Sequence, residues 1–143
     1  MRNGSFLLHQ KDKIMAKIKL GARPKNFTAP VKFKLLDGSD AVIDVTFKYR
    51  TRTEFGAFLD EIYAENNVAK PDDGEDKSTL LERAYQTGVE RHADQIMRAA
   101  DGWSLDEPFN AENVQALCDE FPAAALAIMS VYQHAINEGR LGN

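Results

Sequence analysis

Nine of the ten residues from Ala123 to Tyr132 are apolar, Ser130 being the exception, and Pro122 stands directly before them. A proline has its φ preset and lacks an N–H that the first turn of a helix would leave unpaired anyway, so Pro122 predicts a helix start. A helix apolar on nearly every side cannot lie on a surface with one face in water. It must be central in the fold or shared with a partner. Gly139 and Gly142 are the expected stops.

Material to surround this helix lies upstream. Val31, Phe33 and Leu35 alternate with Lys32 and Lys34, Asp37-Gly38-Ser39-Asp40 supplies turn chemistry, and Ile43, Val45 and Phe47 alternate with Asp44, Thr46 and Lys48. This is the pattern of a β-hairpin with one apolar and one wet face. Two strands alone are marginally stable, so helices or another copy of the chain must cover the apolar face. Lys17 to Leu20 alternates over four further residues and is a candidate third strand, with Pro24 and Pro30 marking an irregular link.

Three more helices are predicted. Thr51 and Glu54 have capping-box spacing, and Phe55, Phe58, Leu59, Ile62 and Tyr63 follow at helical spacing, ending near Asn67. After the hydrophilic loop Pro71 to Ser78, Thr79 and Glu82 repeat the box, and Leu81, Tyr85, Val89, His92, Ile96 and Ala99 form one stripe that stops at Asp101-Gly102. Beyond a loop around Trp103, Asn110 is the cap of a third helix. Phe109 and Val114 are spaced as a hydrophobic staple across it, and Leu117, Cys118 and Phe121 complete its stripe. The sum is an α+β class, an N-terminal antiparallel β-hairpin followed by about four α-helices. Residues 15–143 read as a single domain, and residues 1–14, which have no periodicity, as a disordered or mis-called extension before Met15.

A chain of 143 residues can bury a core without staples. No apolar run reaches membrane-spanning length, the apolar stretch after Met1 is too short for a secretory signal, and the single cysteine, Cys118, has no internal partner. The expectation is a cytoplasmic protein with no membrane contact. Charge is uneven: residues 1–50 hold eleven Lys or Arg against four Asp, a balance of +7, and the remainder carries −11. The basic third raises nucleic acid or an acidic protein surface as a partner, while the acidic remainder argues against the whole domain lying along a phosphate backbone.

Catalytic patterns are weak. Glu90, His92 and Asp94 resemble a cluster on paper, but residues two apart point to different sides of a helix. Placing Gly74 at the sixth position of a calcium loop puts Ala69, Pro71 and Leu80 where carboxylates are required. Cys118 sits on a buried stripe without a motif, and no phosphate-cradling loop, nucleophile elbow or zinc-spaced pair occurs. The reading is a non-enzyme without catalytic residues, metal or cofactor. Lys17, Lys19, Arg23, Lys25, Lys32 and Lys34 lie near Phe27 and Phe33, but Phe33 falls on the apolar face of the hairpin, which weakens a base-stacking platform. A binding module remains, with Phe55 and Phe58 of the aromatic stripe and Leu126, Met129, Tyr132 and Ile136 of the last helix as candidate partner-binding residues. The same two stripes could equally fill the core.

Three blocks together resemble the tail assembly chaperones of long-tailed bacteriophages. They are Ile18-Lys19-Leu20-Gly21 with the hairpin from Val31 to Phe47; Gly102-Trp103-Ser104-Leu105; and Glu120 to Ile128 with Tyr132 and the ending Glu138-Gly139-Arg140-Leu141-Gly142-Asn143. The resemblance spans residues 15–143. It implies a non-catalytic phage or prophage protein that coats the tape-measure protein, keeps it soluble, helps recruit tail-tube protein, acts in the bacterial host cytoplasm and is absent from the mature virion. Self-association is compatible with the charge polarity, which could order copies head to tail. The alternative is a small nucleic-acid-binding phage protein using the basic third, whose binding would fall steeply with salt.

Overall fold

The computed structural model describes residues 16–66 and 77–139. The expected extension 1–14, the loop residues 71–76 and the stop at Gly142 lie outside the described residues. Two strands, β1 (Asn26–Lys34) and β2 (Asp40–Lys48), pair antiparallel from Asn26 opposite Lys48 to Lys34 opposite Asp40. Between them Gly38 adopts φ 85°, and the Ser39 N–H and hydroxyl donate to the Asp37 carboxylate at 2.9 and 2.6 Å. These bonds hold the Asp37 carboxyl below its usual range. Pro30 lies inside β1 and not in a link before it, which is tolerated because β1 is an edge strand.

The hairpin presents two faces, as its alternation predicts. Ala29, Val31, Ile43, Val45 and Phe47 are buried. On the other face the Thr28 and Thr46 hydroxyls meet at 3.0 Å and Lys34 pairs with Asp40. A third strand exists but is not Lys17–Leu20, which forms no strand and leads into a turn at Gly21. It is β3 (Ala100–Trp103), paired with β2 through Val45–Trp103, Thr46–Gly102 and Phe47–Ala100 with a bulge between Thr46 and Phe47. Ser104 extends this pairing, its N–H donating to the Asp44 carbonyl at 2.9 Å while its hydroxyl accepts from the Asp44 N–H at 3.0 Å. The sheet order is β1-β2-β3.

Four helices complete the α+β arrangement: α1 (Arg52–Asn66), α2 (Leu80–Ala99), α3 (Ala111–Glu120) and α4 (Pro122–Glu138). The capping box of α1 forms, the Thr51 N–H donating to Glu54 Oε1 at 2.9 Å and the Glu54 N–H to Thr51 Oγ1 at 3.2 Å. Asn110 caps α3 by accepting from the Asn113 N–H at 2.9 Å. Thr79 makes no side-chain cap on α2, which a short 3₁₀ turn over Lys77–Thr79 precedes. Phe121 separates α3 from α4, and Pro122 opens α4 at its first turn. Gly139 ends it at φ 70°, its N–H donating to the Ala135 carbonyl at 2.9 Å.

The apolar α4 is the centre of the molecule. It packs on β1 and against α1, α2 and α3, and Ala124, Ala125, Ile128, Tyr132, Ala135 and Ile136 are buried. The stripe of α2 is corrected by the structure. Its buried residues, Ala93, Ile96 and Ala99, all lie in the second half, while Leu81 and Tyr85 are exposed because the first half extends past most of the core, and His92 in the second half is exposed as well.

Two glycines respond oppositely to a methyl group. Gly139 holds a left-handed conformation that costs an L-residue roughly 1–2 kcal/mol, so Gly139→Ala should destabilise by about that amount in denaturant unfolding. Gly88 lies inside α2, with nothing within 4 Å of where a Cβ would sit. Gly88→Ala should stabilise by roughly 0.5–1 kcal/mol in the same assay. The Thr51 N–H and then Arg23 hold the Glu54 carboxyl below its ordinary 4.5, so its contribution is present above that pH and lost as pH falls through the lower folded value. Acid titration followed by circular dichroism should show this component in the parent chain and not in Glu54→Gln.

Candidate partner-binding surface

Tyr132 lies on the central helix and is fully buried, so its hydroxyl must find partners inside the protein. It donates to the Lys48 carbonyl at 2.9 Å and accepts from Arg50 Nη1 at 2.8 Å. The same Nη1 donates to the Arg98 carbonyl at 3.3 Å, and the Arg50 guanidinium lies 4.3 Å from the centre of the Phe58 ring. Burial pushes the Tyr132 phenol above its ordinary pKa, with Arg50 acting in the opposite direction. The phenol therefore keeps its proton and donates at neutral pH.

Four aromatic rings enclose this phenol. Phe47 stacks on it at 5.0 Å and Phe27 at 6.3 Å between centroids, while Phe55 and Phe58 meet it edge-on at 5.4 and 6.0 Å. Phe55, Phe58 and Tyr132 thus serve the core of this chain, and Ile136 is buried in the same cluster. Of the six residues singled out in the sequence, Leu126 and Met129 reach the outside. Leu126 is 63% exposed and Met129 half-buried.

Leu126, Met129, Gln133 and Asn137 recur at helical spacing and share one face of α4. At its C-terminal end Gln133 and Asn137 line an open hollow with Arg52, Gly56 and Leu59 of α1, and Phe55 reaches its floor. A second hollow lies across Arg52 and Thr53, between Pro24, Phe27 and Tyr49 on one side and Ala135 and Ile136 on the other. The face therefore runs from an apolar patch into a groove between two helices. Such a groove can accept one side of an amphipathic helix. Sequence reasoning missed the exposure of Tyr63, Leu80, Phe121 and the overhanging part of α2. Periodicity identifies an apolar stripe but not how far along it the cover extends.

The other candidates fall elsewhere. His92 is exposed, and Asp94 accepts from Arg98 Nε at 3.0 Å. No group of three or more His, Cys, Asp or Glu able to hold a metal occurs among the described residues. Lys32 and Lys34 stand on the open face of the sheet, whereas Phe27 and Phe33 pack against the core. No single helix among the described residues is long and apolar enough to cross a membrane.

The family model described as phage tail assembly chaperone matches residues 15–143, and the chain belongs to that family. Its role is that of a tail assembly chaperone interacting with other phage tail proteins. No curated protein and no solved structure matches the chain.

Removing the Tyr132 hydroxyl takes the phenol donor from the Lys48 carbonyl and leaves Arg50 Nη1 with the longer bond to the Arg98 carbonyl. Tyr132→Phe should cost about 1–3 kcal/mol in equilibrium unfolding, the range for an unsatisfied buried polar group. Cys118 is buried, and desolvation pushes its thiol up to about 11, so little reactive thiolate exists at pH 8. Labelling by a thiol reagent should be slow in the native chain and fast in denaturant; equal rates would contradict the burial.

Proposed function

We propose that this tail assembly chaperone binds the tape-measure protein, keeps it soluble before the tail tube polymerises, and helps recruit tail-tube subunits. It does so without catalysis or cofactor, in the host cytoplasm, and leaves before the virion is complete. The observation that carries this reading is the apolar patch at Leu126 and Met129 on a helix whose opposite side is locked into the core. A methionine adapts its shape to irregular apolar partners, which suits a surface that must accept successive segments of a long client. A client helix would lay its apolar side on Leu126 and Met129 and continue along the groove between α4 and α1.

Each contact of this kind is small. Many copies on one extended client would add their contributions through effective concentration, so weak single-site binding is compatible with stable coating.

The test is co-expression with the tape-measure protein encoded beside it, measuring the client's soluble fraction and its co-purification. The parent chain should raise the soluble fraction and co-purify. Leu126→Asp with Met129→Asp should abolish both, and Leu126→Asp alone, at a side chain 63% exposed, should weaken both with an unchanged melting temperature. A parent chain that folds but leaves the client insoluble sinks the proposal, as does a double variant that solubilises the client as well as the parent does.

A further inference from the structure

An open groove runs between α2 and α3, which pack against each other. Glu82, Tyr85, Gln86, Val89 and Glu90 recur three and four residues apart and share one face of α2, and Glu112, Gln115, Ala116 and Asp119 do the same on α3. Tyr85, which is 79% exposed, the half-buried Val89 and the exposed Ala116 give the groove its apolar surface. Four carboxylates border it, and no Lys or Arg is among its lining residues. Ala116 also borders a second hollow, in which Trp103, Leu105, Leu117 and Phe121 are apolar and Glu107 and Glu120 carry charge.

The sign of this surface is particular to it. The two hollows together present six carboxylates and no Lys or Arg among their lining residues, whereas the hollows beside α4 and α1 are lined by Arg50 and Arg52 and by no carboxylate. Like charges gathered on one face repel one another, and a cationic partner relieves that repulsion. Nucleic acid is repelled. A partner that is only charged leaves Tyr85 and its apolar neighbours in water, so the groove matches one that brings apolar and cationic side chains together.

From this juxtaposition we infer that the groove between α2 and α3 docks an amphipathic helix of another protein, whose apolar side chains recur at i, i+3 or i+4 and i+7 and are flanked by Lys or Arg. Such a helix has the same pitch of about 5.4 Å as its two hosts, so its apolar side chains meet Tyr85, Val89 and Ala116 turn by turn. The stretch from Glu82 to Glu90 rises about 12 Å and that from Glu112 to Asp119 about 10 Å, so each row of carboxylates spans about two turns of the guest. Lys and Arg stems lie along the apolar rim while their charged ends reach the carboxylates. These pairs lie at the surface, and docking weakens as salt rises. The groove shares no lining residue with the outward face of α4, and the inference does not rest on the client proposed for that face.

The probe is a synthetic peptide of about 15 residues, long enough to hold a helix, built of leucine and lysine with the leucines on one face. Its binding to the full chain is read by fluorescence anisotropy at low and high salt. The parent should bind it, and more weakly at high salt. Glu82→Lys with Glu90→Lys, and separately Tyr85→Asp, should each weaken binding about tenfold, while Leu126→Asp on the α4 face should bind as the parent does. Circular dichroism should be unchanged in every variant, since all four side chains are exposed. A lysine-only peptide of the same length should bind the parent about tenfold more weakly than the amphipathic one. A folded parent that does not bind the peptide, binding indifferent to the groove substitutions, an equal loss with Leu126→Asp, or a lysine-only peptide that binds as tightly would each overturn the inference. None of these results bears on whether the α4 face solubilises the tape-measure protein, so the two readings fail separately.

Discussion

The Tyr132 hydroxyl is the constraint on which the rest of the structure depends. A phenol at the centre of an otherwise apolar helix can be buried only if both its proton and its lone pair find partners, and these come from residues far away in sequence. The Lys48 carbonyl lies at the end of β2, Arg50 leads into α1, and the Arg98 carbonyl that shares the guanidinium closes α2. One polar atom thereby fixes where the sheet ends, where α1 begins and where α2 stops. The four aromatic rings around it convert that polar registration into packing, since edge-on and offset contacts add to the burial of their area.

From this centre the division between inside and outside follows. Locking one side of α4 on Phe27, Phe47, Phe55 and Phe58 sets the rotation of the helix and leaves Leu126 and Met129 outward. The proposed client patch is therefore held by the core, with Leu126 outside it and Met129 packed against its edge. A surface held this way keeps its geometry while its contacts change, an advantage for a chaperone meeting many segments of one client.

The local chemistry of the fold was legible because local rules decide it. The Thr51–Glu54 box, the Asn110 cap, Pro122 at the start of α4 and the alternation of the hairpin each depend on a few neighbouring residues, and each takes the form those residues imply. What was not legible depends on distant parts of the chain. β3 has four residues, Ala-Asp-Gly-Trp, with no alternation of its own, and is extended because β2 offers a free edge. Lys17–Leu20 has the alternation but no strand beside it. The same limit governs the site: Phe55, Phe58, Tyr132 and Ile136 satisfy the pattern of a binding stripe and of a core equally well, and only the tertiary cover separates them from Leu126 and Met129.

The overhang of α2 bears on why a small chaperone would leave apolar surface uncovered. Burying Leu81 and Tyr85 in the chain's own core would contribute to stability, since roughly 25 cal/mol accompanies each Å² of apolar area removed from water. Leaving Tyr85 beside Val89 and within a ring of carboxylates forgoes part of that gain, but the negative rim repels other acidic surfaces and selects for a basic one. Part of the basic first third is already engaged within the chain, through Arg23 with Glu54 and Lys34 with Asp40, while Lys17 and Lys19 belong to exposed residues. Charge asymmetry between the two parts of the sequence thus leaves the acidic rim of this groove and the outward face of α4 on separate parts of the surface.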